Sequence, residues 1–169
     1  MFLVMSLTVL MAMSNVNITD SMKKARLDRH GKYKDIDDLA YTIYSEARGE
    51  GIEGMEAVAS VIANRATGRG LSHISVVRQT GQFAGYEPTT PETAFEDREP
   101  ADKEAWLKAQ EIAVAMETGT FKPSHNYTFF NRPDVGSQKY SDMYLESAVI
   151  GNHKFGNIAG EWGIPKLAY

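Results

Sequence analysis

The chain has 169 residues, 43% of them hydrophobic and 24% charged, with a net charge of −4 and no cysteine. That length and balance suit one ordinary globular domain with a real core. The mild negative charge gives no electrostatic case for nucleic acid, whose binders carry a basic stripe, and the lack of cysteine excludes disulfides, thiolate zinc sites and a cysteine nucleophile.

Met1 to Met13 is apolar except for Ser6 and Thr8. A membrane span needs about 20 apolar residues, so this run is short for one. It matches the apolar core of a signal peptide, and Ala12-Met13-Ser14 offers the small-x-small spacing of a cleavage site. No Lys or Arg precedes it, the first being Lys23. A helix packed on the domain or a frayed start is therefore the competing reading, beside export or membrane contact through this segment. Asn15 to Lys34 is polar and carries Lys23, Lys24, Arg26 and Arg29, as a linker or solvated helix does. Residues 1–34 are thus expected to form an apolar segment and linker, and residues 35–169 the folded domain.

Asp35 is placed to cap the next helix, with Asp38 favourable in its first turn. Ile36, Leu39, Ala40, Ile43, Tyr44 and Ala47 then follow the spacing of one helix face, and Gly49 and Gly51 end the run. Met55, Val58, Ala59 and Ile62 mark a second helix, stopped by Gly68 and Gly70. Ser75 to Thr80 reads as a short helical turn before Gly81-Gln82-Phe83. Gly85 to Pro100 is rich in Pro, Thr and acidic residues and reads as loop. Pro100 suits a first helical turn, and Ala101, Ala105, Trp106, Ala109, Ile112, Ala113 and Met116 continue at helical spacing until Gly119. Tyr127-Thr128-Phe129-Phe130 is aromatic and β-branched, as strands are. Arg132-Pro133-Asp134 is a turn, and Val149-Ile150 with His153-Lys154-Phe155 supply partner strands. The sum is a mostly helical α+β domain with a small antiparallel sheet late in the chain.

One carboxylate stands out. At about 100° per residue, Glu46 falls at the edge of the apolar stripe of the first helix, on the side of Leu39 and Ile43. Desolvation there favours the protonated form of a carboxyl, which a proton donor in glycoside cleavage needs. The competing reading is a surface charge at a helix end, with Arg48 as an ion-pair partner, and with Asn64 and Arg65 as a cap and a cation at the end of the second helix.

Glu46-Ala47-Arg48-Gly49-Glu50, followed after a gap by Ala57-Val58-Ala59-Ser60-Val61-Ile62-Ala63-Asn64-Arg65, closely resembles the signature of the SleB/CwlJ-like cell wall hydrolases. These include cortex-lytic enzymes of spore germination and related phage lysins. Gln82-Phe83, Tyr127 to Asn131 and Gly151-Asn152-His153-Lys154-Phe155 resemble later family blocks in the same order, so the likeness runs from Asp35 to Gly156. The chain departs from the pattern at Gly156, where an aromatic often follows, and before Asn126, where a glycine-alanine lead-in is missing. The resemblance implies a lysozyme-like fold, action on the glycan strand of peptidoglycan at the cell wall, and Glu46 as the catalytic acid.

Glu46 would protonate the glycosidic oxygen between N-acetylmuramic acid and N-acetylglucosamine. A hydrolase needs a second carboxylate; Glu50 is the best sequence candidate, whereas Asp134 and Asp142 read as turn residues. The route that needs none uses the muramic 6-hydroxyl as nucleophile and makes a 1,6-anhydro product. The lone acid and the resemblance favour this lytic transglycosylase chemistry over a muramidase or glucosaminidase.

Substrate-binding roles are expected for Glu50, Asn64, Gln82, Phe83, Tyr127, Phe129, Asn131 and His153. Tyr127, Phe129 and Phe130 would offer a sugar platform, with core packing as the alternative for each; Gln82 and Asn131 would bond acetamido groups. His153 also reads as a core or orienting histidine. No cofactor or metal is expected: a zinc amidase needs about three converging ligands, and His30, His73, His125 and His153 show no such spacing. No Gly-x-Ser-x-Gly marks a serine hydrolase. The partner expected is the peptidoglycan glycan strand, acted on by a monomer. A non-catalytic wall-binding or phage structural protein is the competing class.

Overall fold

The computed structural model describes residues 34–83, 100–133 and 142–161. The expectations for Met1 to Met13, for the polar stretch as far as Tyr33, for the loop from Gly85 to Glu99 and for Asp134 fall outside these residues. The chain divides into two compact units, Met1–Asp35 and Ile36–Tyr169, and the core lies in the second.

Helix α1 covers residues 34–47. It is followed by α2 (Gly51–Arg69), α3 (His73–Val77), α4 (Pro100–Glu117) and strands β1 (Phe129–Asn131), β2 (Ser147–Ile150) and β3 (His153–Gly156). The expected α+β class, mostly helical with a small antiparallel sheet, is what forms.

Helix α2 is the axis of the domain. Its middle, from Ala57 to Ala63, is buried on every side, as expected of a helix that is apolar nearly all round. α1 lays Leu39, Ile43, Tyr44 and Ala47 against the core, and α4 adds Trp106, Ala109, Ile112, Ala113 and Met116. Trp106 meets Tyr44 edge-on at 5.8 Å, a favoured aromatic geometry. Asp38 is buried at 2% exposure and is held by Arg78, whose Nε and Nη2 donate to its Oδ2 at 3.2 and 2.6 Å. Because α1 already covers residue 34, Asp35 lies inside it and Asp38 lies past its first turn, where it serves a tertiary ion pair and not the helix start.

The second helix is longer than the glycines imply. Gly68 lies inside it, and Gly70, left-handed at φ +64°, is the C-cap whose N–H satisfies the last carbonyls. Asn64 and Arg65 are therefore interior residues of α2, not its cap and terminal cation.

The sheet has the order β1-β3-β2, antiparallel throughout. Phe129 pairs with Gly156, Phe130 with Phe155, and Asn131 with Lys154; Ser147 pairs with Gly156 and Val149 with Lys154. Side chains alternate between faces along a strand. One face thus carries Phe130, Phe155 and His153 and packs on the core, where Phe130 stacks on Phe155 at 5.6 Å. The other carries Phe129, Asn131, Lys154, Gly156 and Val149 and is open.

Candidate active site

Three polar residues on two successive turns of α2, Ser60 and then Asn64 and Arg65, stitch the helix to the segment that leads into β1. Ser60 Oγ donates to the Glu56 carbonyl at 2.7 Å and accepts the Ser124 N–H at 2.9 Å. Asn64 Nδ2 donates to the carbonyls of His125 and Tyr127 at 2.8 and 2.9 Å. Arg65 Nε donates to the Thr128 carbonyl at 2.6 Å. From the other side, Asn157 Oδ1 accepts both the backbone N–H and the hydroxyl of Thr128 at 3.0 Å each. An extended segment without a helical ladder is held by side chains instead, as buried backbone polar groups require.

Arg65 is the centre of the site. Only 4% of it is exposed. Its Nη1 donates to Gln82 Oε1 at 3.2 Å, and its guanidinium sits between two rings, 5.4 Å from the centroid of Phe83 and 5.3 Å from that of Phe129. Burial brings its pKa down to about 10, against the opposing pull of Tyr144 and Glu46; at neutral pH it remains a cation. Glu46, half-buried at the end of α1, is close enough to Arg65 to act on its charge. Tyr144, just before β2, completes the group. Its hydroxyl donates to Asn131 Oδ1 at 2.8 Å, and burial pushes its pKa up to about 12, with Arg65 pulling the other way. It is a neutral phenol at any ordinary pH.

The residues picked from sequence divide accordingly. Glu46, Gln82, Phe129 and Asn131 gather around Arg65 or around Tyr144 beside it. The other five, Glu50, Asn64, Phe83, Tyr127 and His153, are engaged within the domain. Asn64 spends its amide donors on backbone carbonyls. Phe83 is 6% exposed and lies 6.3 Å from the Phe130 ring. Glu50 and His153 face each other inside the domain, Nδ1 to Oε1 at 2.5 Å, with side chains 7% and 5% exposed. The second oxygen of Glu50 accepts the Asn152 N–H at 3.2 Å, and Gly151, left-handed at φ +59°, leaves room for it where a Cβ would collide. This pair pins the β2–β3 turn onto the start of α2. Tyr127 packs against the core and beside the His125 ring at 5.0 Å. Phe130 likewise belongs to the core face, so of the three aromatics read as a sugar platform only Phe129 stands on the open one.

Two residues of the cluster escaped the sequence reading. Arg65 had a signal: Val58, Val61, Ile62 and Arg65 share the i, i+3, i+4, i+7 spacing, which puts a cation on the core-facing stripe. Tyr144 had none, since it reaches the site only through sheet pairing. Among the described residues no three His, Asp or Glu side chains gather as metal ligands would, and His73 is engaged with Glu117 at 3.1 Å.

The stitching makes a prediction. Asn64→Ala leaves two carbonyls without their donor, so unfolding should cost about 1–3 kcal/mol less than in the wild type. Urea denaturation measures this. A loss below about 0.5 kcal/mol would mean that water replaces the amide, and that Asn64 is open enough to serve substrate.

The family model described as Cell Wall Hydrolase matches residues 49–156. The chain belongs to this family. Its Glu46 lies just before the matched range, and Arg65, Gln82, Phe129, Asn131 and Tyr144 lie inside it. A cell wall hydrolase relative, described as the spore cortex-lytic enzyme of Oceanobacillus iheyensis, is 31% identical over 128 residues, covering 72% of this chain. The chain spans 41% of that protein's length. Two solved structures are similar. The catalytic domain of the Bacillus cereus SleB protein has a TM-score of 0.51 at 27% identity, over 74% of this chain and 91% of that one. The catalytic domain of the germination-specific lytic transglycosylase SleB from Bacillus anthracis has a TM-score of 0.51 at 26% identity, over 73% and 94%. The fold is the lysozyme-like one expected.

Proposed function

We propose that this cell wall hydrolase degrades peptidoglycan by cleaving the glycan strand between N-acetylmuramic acid and N-acetylglucosamine, as a lytic transglycosylase with Glu46 as its acid. The observation that carries this reading is the setting of Glu46. It is half-buried at the end of α1 and close enough to Arg65 for its charge to act there, while Glu50, the best sequence candidate for a second carboxylate, is engaged with His153. With Glu50 so engaged, the sequence candidate for the group that would activate water or form a covalent intermediate is committed elsewhere. The internal route lacks nothing. Glu46 gives its proton to the glycosidic oxygen as that bond to C1 breaks; the muramic 6-hydroxyl oxygen closes on C1; and the Glu46 carboxylate takes the hydroxyl proton, which restores the acid. The likeness to a structure described as a lytic transglycosylase supports the same choice.

The remaining residues fit support of that step. Phe129 offers an apolar face for a sugar ring, and Gln82 and Asn131 set amide groups beside it for acetamido bonding. Residues 1–34 would carry export or attachment.

The test is mass spectrometry of soluble fragments freed from purified peptidoglycan. Fragments ending in 1,6-anhydro-muramic acid are expected. Reducing muramic or glucosamine ends would mean hydrolysis and a second carboxylate elsewhere in the chain. No fragments from any wall, with the protein still sedimenting with it, would make this a binding protein.

A further inference from the structure

We infer that Tyr144 is a substrate-contacting residue of this cleft, its ring a platform for an N-acetylated amino sugar and Gly156 the slot that holds it. The inference rests on the glycan-cleaving reading above. A Cβ built on Gly156 would run into Cγ and Cδ2 of Tyr144, so the ring occupies the space that any other residue at Gly156 would fill. At its far end the hydroxyl is tied to Asn131 at 2.8 Å. These two anchors sit on different strands of the sheet, and both belong to its open face. The ladder continues past β2 and β3 to bring Tyr144 there, with the Leu145 N–H donating to the Asn157 carbonyl at 2.9 Å.

A ring needed only to seal the core would lie on the other face, with Phe130 and Phe155. Tyr144 is half-buried, shares the open face with Phe129, and is close enough to Arg65 for each to perturb the other's titration. Arg65 also feels the charge of Glu46. The Lys154 ammonium lies over the ring, 5.9 Å from its centroid, a flexible side chain that a sugar ring would displace. An aromatic face beside amide groups is what a pyranose with an acetamido arm requires: apolar area for the ring, donors and acceptors for the arm.

The full chain and its Tyr144→Phe, Tyr144→Leu and Tyr144→Ala variants are compared on purified peptidoglycan over a range of wall concentrations, with an unfolding midpoint for each. Loss of the flat face in the Leu and Ala variants should raise the half-saturating wall concentration about fivefold to tenfold, with kcat changed less, and the Phe variant should stay within about twofold of wild type. A Leu variant with wild-type half-saturation overturns the inference, as does a Phe variant as impaired as the Leu variant. Loss that tracks a midpoint below the assay temperature overturns it too, since the ring would then serve folding alone. A wild type that frees no fragments is a failure of the glycan-cleaving reading; sedimentation of the wild type and the Leu variant with the same walls then reads the contact by itself, and equal binding overturns it.

Discussion

Glu46→Gln is expected to lower the release of glycan fragments by about 10²–10⁴-fold, the usual contribution of a positioned general acid. The amide keeps the size and shape of the carboxyl but cannot give up a proton to the glycosidic oxygen or take one from the 6-hydroxyl. The unfolding midpoint should not fall, because the side chain is half-buried at a helix end and fills no part of the core. Glu46→Asp tests position rather than chemistry. The acid is retained but withdrawn by one methylene, and a displacement near 1 Å costs about 100-fold when the reacting geometry matters. The measurement is the initial rate of fragment release under saturating wall. If the Gln variant kept more than about a tenth of the wild-type rate, far above what loss of an acid allows, Glu46 would be an ordinary charge beside Arg65.

Arg65 is expected to have the largest effect on stability. Arg65→Ala removes a buried cation together with its bonds to the Thr128 carbonyl and to Gln82, and it empties the space between Phe83 and Phe129. Unpaired buried acceptors and a new cavity together should cost about 3–5 kcal/mol. Part of that is offset, because burying a guanidinium carries its own desolvation cost, seen here in its lowered pKa. Arg65→Met separates the terms. It refills the space with an apolar side chain of similar length and loses only the bonds, so it should fall by about 1–3 kcal/mol. Both variants should lose fragment release alike, since neither presents a charge to Glu46. Urea midpoints and fragment-release rates measured on the same preparations decide this. A Met variant with wild-type activity would make Arg65 a purely structural clamp.

These two residues show what sequence could and could not supply. Glu46 was singled out because helical spacing alone places it at the margin of an apolar stripe, and because it opens a block of residues that resembles a known family. The helices were legible for the same reason: their apolar periodicity is local, and Gly51, Gly70 and Gly119 turn the chain with positive φ where the periodicity stops. The short strands were found by composition, at 129–131, 147–150 and 153–156, with boundaries shifted by a residue or two, as is usual at element ends.

The roles of Glu50, Asn64 and His153 were not legible. Each is a polar residue in a family-like block, and such residues look alike whether they meet a substrate or a neighbouring backbone. Their partners lie far along the chain: Glu50 reaches Asn152 and His153, and Asn64 reaches His125 and Tyr127. The faces of the sheet were undecided as well. Period-two alternation says that Phe129 and Phe130 point opposite ways, but only pairing with β3 and packing on α2 say which way is out.

By itself, then, the sequence determined the class of the fold, the helix that carries Glu46, and the family, because these rest on local periodicity and on contiguous motifs. The tertiary structure alone decided which polar residues gather around Arg65 and which lock the frame. It drew Arg65 and Tyr144 together with Glu46 and shut Glu50 away from them. Side-chain burial and charge pairing depend on contacts between residues remote in sequence, and no local pattern encodes those.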